Sequence, residues 1–180
     1  MLKHPCLATV LLLAAWFAPL RAQAEYVFSL SDLATIFVQN QQYFILDDEG
    51  FGDPSLNHLH FTKIDTATGN FTGAIWAPVV APAIPQMTLP VTGKLTIHPD
   101  VGDYGFSAGT GNYYEISFSW QYTPACEVQQ ATYTGGITFR GYVGGKMRAT
   151  IAGTTDVVRG SCLVGSFPFA PQPFSGILVK

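Results

Sequence analysis

Tyr114, Ile116, Phe118 and Trp120 alternate with Tyr113, Glu115, Ser117, Ser119 and Gln121. A period of two sets the first group on one face of an extended strand and the second on the other, and a helix cannot reconcile that pattern. It recurs along the chain. Val91, Gly93, Leu95 and Ile97 alternate with Thr92, Lys94, Thr96 and His98, while Tyr133, Gly135, Ile137 and Phe139 alternate with Thr134, Gly136, Thr138 and Arg140. Gly144-Gly145 is a tight-turn dipeptide leading into Met147, Ala149 and Ile151, which alternate with Lys146, Arg148 and Thr150. One oily and one polar face per strand is the mark of an antiparallel meander with one side in water. The order predicts an all-β fold, an antiparallel up-and-down β-barrel of about eight strands, since closure removes exposed edges.

Composition agrees. Charged residues make up 12% of the chain and aromatics 13%, with 18 glycines, a balance that suits strands and turns better than surface helices. The formal charge of -3 and the scattered Lys and Arg argue against a nucleic-acid partner, which needs a basic stripe to neutralise phosphates.

Within the strands a short phrase repeats: Phe71-Thr72-Gly73-Ala74-Ile75, Val91-Thr92-Gly93-Lys94-Leu95, Tyr133-Thr134-Gly135-Gly136-Ile137 and, more loosely, Phe174-Ser175-Gly176-Ile177-Leu178. Each places a Gly between apolar residues on the inward face. A strand glycine marks a bend or a place where something bulky comes close.

The N-terminus reads differently. Lys3, an apolar run from Cys6 to Leu20 and the small residues of Ala22-Gln23-Ala24 form the pattern of a secretory signal peptide cleaved after Ala24. The run is shorter than a membrane span requires. Residues 1–24 are therefore expected to be removed and 25–180 to form a single barrel domain, periplasmic or extracellular, with no membrane span. Cleavage leaves Cys126 and Cys162, an even pair in an oxidising compartment, which predicts a disulfide worth about 3 to 4 kcal/mol by the chain-entropy estimate.

Leu30, Leu33, Ala34, Phe37 and Val38 fall at helical spacing, with Ser31 as the expected cap and Asp32 in the first turn. A first strand over Tyr43 to Leu46 then passes into an acidic turn of Asp47, Asp48, Glu49 and Asp53, whose spacing does not match a calcium loop. His58 and His60 share a strand face at the start of Leu59 to Ile64, but two ligands are too few for a metal, and neither metal nor cofactor is expected. Asp65 to Asn70 is turn chemistry closing a hairpin, and Asn70-Phe71-Thr72 is a glycosylation acceptor pattern. Pro78, Pro82, Pro85 and Pro90 within Ala77 to Pro90 forbid a central strand there, so the segment reads as a lid, a contact surface or a packed loop.

The Thr-Gly phrases, with Trp120 closing the strand before the third, resemble the avidin family over roughly Leu59 to Lys180. The resemblance implies an eight-stranded barrel holding its ligand inside, with Trp120 and Tyr133 at positions of the aromatic cavity walls. Ile75 stands where that family has a ligand-binding Tyr, Gln129 and Ala131 where it has small hydroxyl residues, and the last strand, near Ser175, lacks its Asp. The scaffold is therefore implied more firmly than biotin binding, since apolar groups in place of buried donors weaken such a site.

Three functional classes follow. The first is a non-catalytic barrel binding a small apolar or aromatic molecule, with Trp120, Tyr133, Phe118, Ile75 and Phe139 as candidate ligand contacts; the same inward set can equally fill the barrel as core. The second is an interaction module, inhibitor or lectin, acting through Ala77 to Pro90 and Phe167 to Pro173, and self-association into a homo-oligomer fits either class. The third is an enzyme. The chain has no Gly-x-Ser-x-Gly elbow, and nothing in the spacing brings His98 together with Glu115 or Asp156 as an acid-base pair, so no catalytic residue is expected.

Overall fold

A computed structural model describes residues 27–48, 57–77, 87–98, 113–123, 127–161 and 165–180. The strands are β1 (Tyr43–Asp48), β2 (Asn57–Ile64), β3 (Asn70–Ala77), β4 (Met87–His98), β5 (Tyr113–Tyr122), β6 (Glu127–Val143), β7 (Lys146–Ser161), β8 (Gly165–Pro168) and β9 (Gln172–Val179). Neighbours from β1 to β7 pair antiparallel, and β9 joins β7 to β1, closing an eight-stranded barrel. β8 continues the line of β9 along β7: the Phe169 amide donates to the Val157 carbonyl at 2.8 Å, and the register slips by one residue before Gln172 meets Thr155. The expected all-β barrel is what forms, and the alternating residues take the faces their period assigns.

Two expectations need correction. Met87 to Pro90 is strand, with Pro90 opposite Ala74 of β3. Proline is accommodated because β5 pairs with β4 only from Val91 onward, so Pro90 sits where its strand has a partner on one side alone. Pro168 and Pro173 pair with β7 alone among the described residues. Asp47 and Asp48 likewise belong to β1, opposite Ser175 and Phe174, rather than to an acidic turn.

One end of the barrel is stoppered by the N-terminal segment. Helix α1 (Leu30–Ala34) continues into a wider π-type turn over Thr35–Gln39. Its cap is Ser29, not Ser31: the Ser29 hydroxyl accepts from the Asp32 amide and the Asp32 carboxylate accepts from the Ser29 amide at 2.8 Å. This reciprocal box leaves Ser31 on the exposed side. Leu33, Ile36 and Phe37 turn inward, and Phe37 stacks on Phe61 at 4.7 Å and tilts against Phe44 at 5.6 Å. After the helix, buried Gln42 donates from Nε2 to the Met147 carbonyl at 2.9 Å and accepts from the Met147 amide at 3.3 Å. A side-chain amide thus supplies one more rung between the start of β1 and β7.

Mid-barrel packing is aromatic. Phe118 and Tyr133, opposite each other on β5 and β6, stack at 4.5 Å with 7° between planes, and Phe174 meets the Tyr133 ring edge-on at 5.2 Å. Such geometry adds to the burial gain of about 1.5 to 3 kcal/mol per large apolar side chain. The repeated glycines admit this packing. A Cβ on Gly93 would lie 2.7 Å from the Phe118 Cβ and closer still to the Phe71 ring and the Ser117 carbonyl. At Gly93, at least, the gap in the phrase is taken by a neighbouring ring.

Candidate functional site

The end opposite α1 is built from strands of unequal length. Among the described residues, β5 pairs with β6 as far as Tyr122 opposite Gln129, and β1 pairs with β9 as far as Asp48 opposite Phe174. The first residues of β6, the last of β7 and all of β8 form the three-stranded edge of this end, the flap. Register assigns its faces: Tyr133↔Thr155, Ala131↔Val157 and Gln129↔Arg159 succeed one another at two-residue steps, and Phe167 pairs with Arg159. Tyr133, Thr155, Ala131 and Val157 are buried in the barrel, so Gln129, Arg159 and Phe167 continue the inner face outward.

These residues line a cleft of ≈ 330 Å³ together with Val128, Ser161 and Phe169. The Arg159 guanidinium carbon lies 5.3 Å from the centre of the Phe169 ring, within cation-π range. Phe167 and Phe169 are 54% and 50% exposed, a costly placement for two large rings on one concave face. Trp120 closes the row immediately beneath, level with Ala131 and Val157, and the small Ala131 beside it crowds the indole least. One row deeper, the Thr155 hydroxyl is fully buried and has no hydrogen-bond partner among the described residues. An unmet buried hydroxyl costs about 1 to 3 kcal/mol.

The residues singled out from the sequence spread along the barrel axis. Trp120 and Ile75 lie toward the flap end, Phe118 and Tyr133 at mid-barrel, and Phe139 at the α1 end, 4.7 Å from the Phe28 ring and 4.9 Å from that of Tyr114. Phe118 and Tyr133 are in mutual contact; Phe139 is remote from them. The β7 alternation set out from the sequence ends at Ile151, short of Arg159. Continued by twos through Gly153, Thr155 and Val157, it arrives at Arg159 on the inward face. Phe167 lies in the segment already marked as a contact surface.

His98 and Glu115 do meet, contrary to what their spacing suggested: His98 Nε2 and Glu115 Oε2 are 2.8 Å apart. The β4–β5 register sets Thr96 against Glu115 and His98 against Tyr113, making the pair diagonal neighbours on the outer, water-facing side. This pair is at the α1 end, away from the cleft. His58 and His60 share the outer face of β2, packed with Tyr43, which stacks on His60 at 4.3 Å, and with Trp76, 4.7 Å from His58. Burial holds both imidazoles below the usual histidine range, and the neighbouring His58 adds to the effect on His60. Among the described residues no three His, Cys, Asp or Glu side chains cluster as a metal site. No described helix is long and apolar enough to cross a membrane.

The expected signal peptide, Cys126, Cys162, Glu49, Asp53 and residues 78–86 of the proline-rich segment lie outside the described residues. No family model, no curated protein and no solved structure matches the chain.

Proposed function

We propose that this chain is a secreted or periplasmic, non-catalytic β-barrel that binds a small apolar or aromatic molecule, taken up at the flap end. The observation that carries this reading is the asymmetry of the barrel. α1 stoppers one end, and the other bears a cleft with two half-exposed phenylalanines and Trp120 in the row below. Ligand sites are concave and mostly apolar with a few placed polar groups, and the cleft has that make-up. The Thr-Gly strand phrases support an avidin-like scaffold, and the apolar Ile75 and Ala131 turn it away from biotin. The signal-peptide pattern of residues 1–24 supports export. The position of His98 and Glu115 on the outer face at the α1 end, away from the flap cleft, favours a binding role over an acid-base enzyme.

A second reading is favoured by Phe167 and Phe169 themselves: exposed rings on a segment ending at Pro173 also suit capture of a protein or glycan partner. Fluorescence separates the two. Saturable quenching by a small aromatic probe such as 1-naphthol, lost in Trp120→Phe but kept in Trp76→Phe, is expected of the binding barrel. Absence of saturable quenching across a panel of apolar and aromatic molecules would sink it in favour of the interaction module.

A further inference from the structure

We infer that His58 and His60 form a binding site for a divalent transition-metal ion, copper(II) above all, on the outer face of β2 and separate from the flap cleft. Two residues apart in one strand, the imidazoles leave the sheet on the same side. Their ring centres are 6.1 Å apart. An imidazole nitrogen binds such an ion at about 2.0 to 2.1 Å, so two rings sharing one lie within about 6.4 Å of each other, centre to centre. The observed pair falls inside that limit. A cis arrangement draws the rings somewhat closer, through rotations that these half-buried side chains can make.

Aromatic neighbours steady both rings. Tyr43 on β1 stacks on His60 at 4.3 Å and lies 5.1 Å from His58, while Trp76, directly opposite His58 on β3, is 4.7 Å from it. Stacking covers the face of an imidazole, whereas its nitrogens sit at the edge. Opposite His60 stands Ala74, too small to cover the ring. The pair is thus ordered before an ion arrives, which lowers the entropic cost of binding.

Donor type selects the ion. Two nitrogens are half of a closed zinc site, and among the described residues no third His, Cys, Asp or Glu joins them. Copper(II) instead favours tetragonal nitrogen and oxygen ligation, in which water completes the positions that two cis imidazoles leave open, and it heads the affinity order of the divalent first-row ions. Calcium and magnesium, which take oxygen donors, gain nothing from two imidazoles.

Trp76 reports on the site. Copper(II) added to the whole protein should quench Trp76 saturably and reversibly with EDTA, at one ion per chain by calorimetry, and calcium should not. Trp76→Phe should remove that quenching and keep the stoichiometry. His58→Gln and His60→Gln should each weaken binding at least about tenfold, whereas His98→Gln, at the α1 end on β4, should leave it unchanged. The electron paramagnetic resonance spectrum of bound copper should show coupling to two imidazole nitrogens. Undiminished affinity in a folded His58→Gln/His60→Gln variant, or a spectrum without that coupling, would overturn the inference. Either result leaves ligand capture by the barrel untouched, since the two sites lie on opposite faces of the wall.

Discussion

The Tyr114 hydroxyl in β5 accepts a hydrogen bond from the Phe28 amide and lies 3.3 Å from the Phe28 carbonyl, to which it donates. A single phenol thus fastens the N-terminal segment across the end of the barrel, with the Phe28 ring packed on Phe139. Tyr114→Phe keeps the ring and leaves the buried Phe28 amide without that acceptor. We expect a loss of about 1 to 3 kcal/mol in urea unfolding and faster hydrogen exchange across Phe28 to Leu33. Unchanged exchange there would show that the hydrophobic face of α1 is sufficient by itself.

Gly93→Ala tests how tightly the repeated phrase is packed. The added methyl meets the Phe118 Cβ, the Phe71 ring and the Ser117 carbonyl, two of which are fixed to the backbone. Overpacking of this kind costs about 1 to 3 kcal/mol. Gly144→Ala, at a turn glycine with nothing within contact distance but a φ of +59°, should cost about 1 kcal/mol through backbone conformation alone. Thermal melts of both variants give the comparison, and equal stability of Gly93→Ala to the unaltered protein would mean that the barrel breathes enough to admit a methyl.

Stability should fall with acidification in a window set by His58 and His60. Both are held below their ordinary value of 6.5 in the folded protein, chiefly by burial, so the unfolded chain takes up protons first. The contribution is complete above 6.5 and is lost as pH drops from there toward the lowered folded values. Asp32 and Asp65 are lowered too, Asp32 by its bonds to Ser29 and Asp65 by its turn amides. Their contribution is lost only at and below the carboxylate range. Denaturation midpoints measured between neutrality and mild acid should therefore slope downward, and His58→Gln/His60→Gln should flatten that slope. A slope that survives the double change would assign it to other groups.

Glu127 and Ser161 form the last described rung of the β6–β7 ladder. Cys126 and Cys162 follow next in sequence on either side, and an even pair left after export predicts a disulfide. We expect intact-mass measurement of the secreted protein to show two hydrogens fewer than the reduced form. Reduction should lower the unfolding midpoint and raise hydrogen exchange in Gly165 to Pro168, the outer strand of the flap. Two freely alkylated thiols in the native secreted protein would rule the bond out.

The inward and outward sets of β4, β5, β6 and β7 are written in the chain, because alternation is a local property: Ile116 and Phe118 must share a face whichever strand they pair with. The same holds for the helix at Leu33 and Phe37 and the turn at Gly144-Gly145. Pairing depends on register and on where each ladder stops, and these are set by the whole barrel. They determine that Pro90 can lie in a strand because β5 pairs with β4 only from Val91 onward, and that His98 finds Glu115 across the outer face. They also bring Arg159, Gln129 and Phe167 to one cleft from three strands. The sequence by itself determined an all-β barrel with an aromatic interior; only the tertiary structure decided which end α1 covers and where a cation meets exposed rings. The reason is physical: a period of two specifies a side of a sheet, whereas a site needs strands brought side by side at one level, and closure alone supplies that.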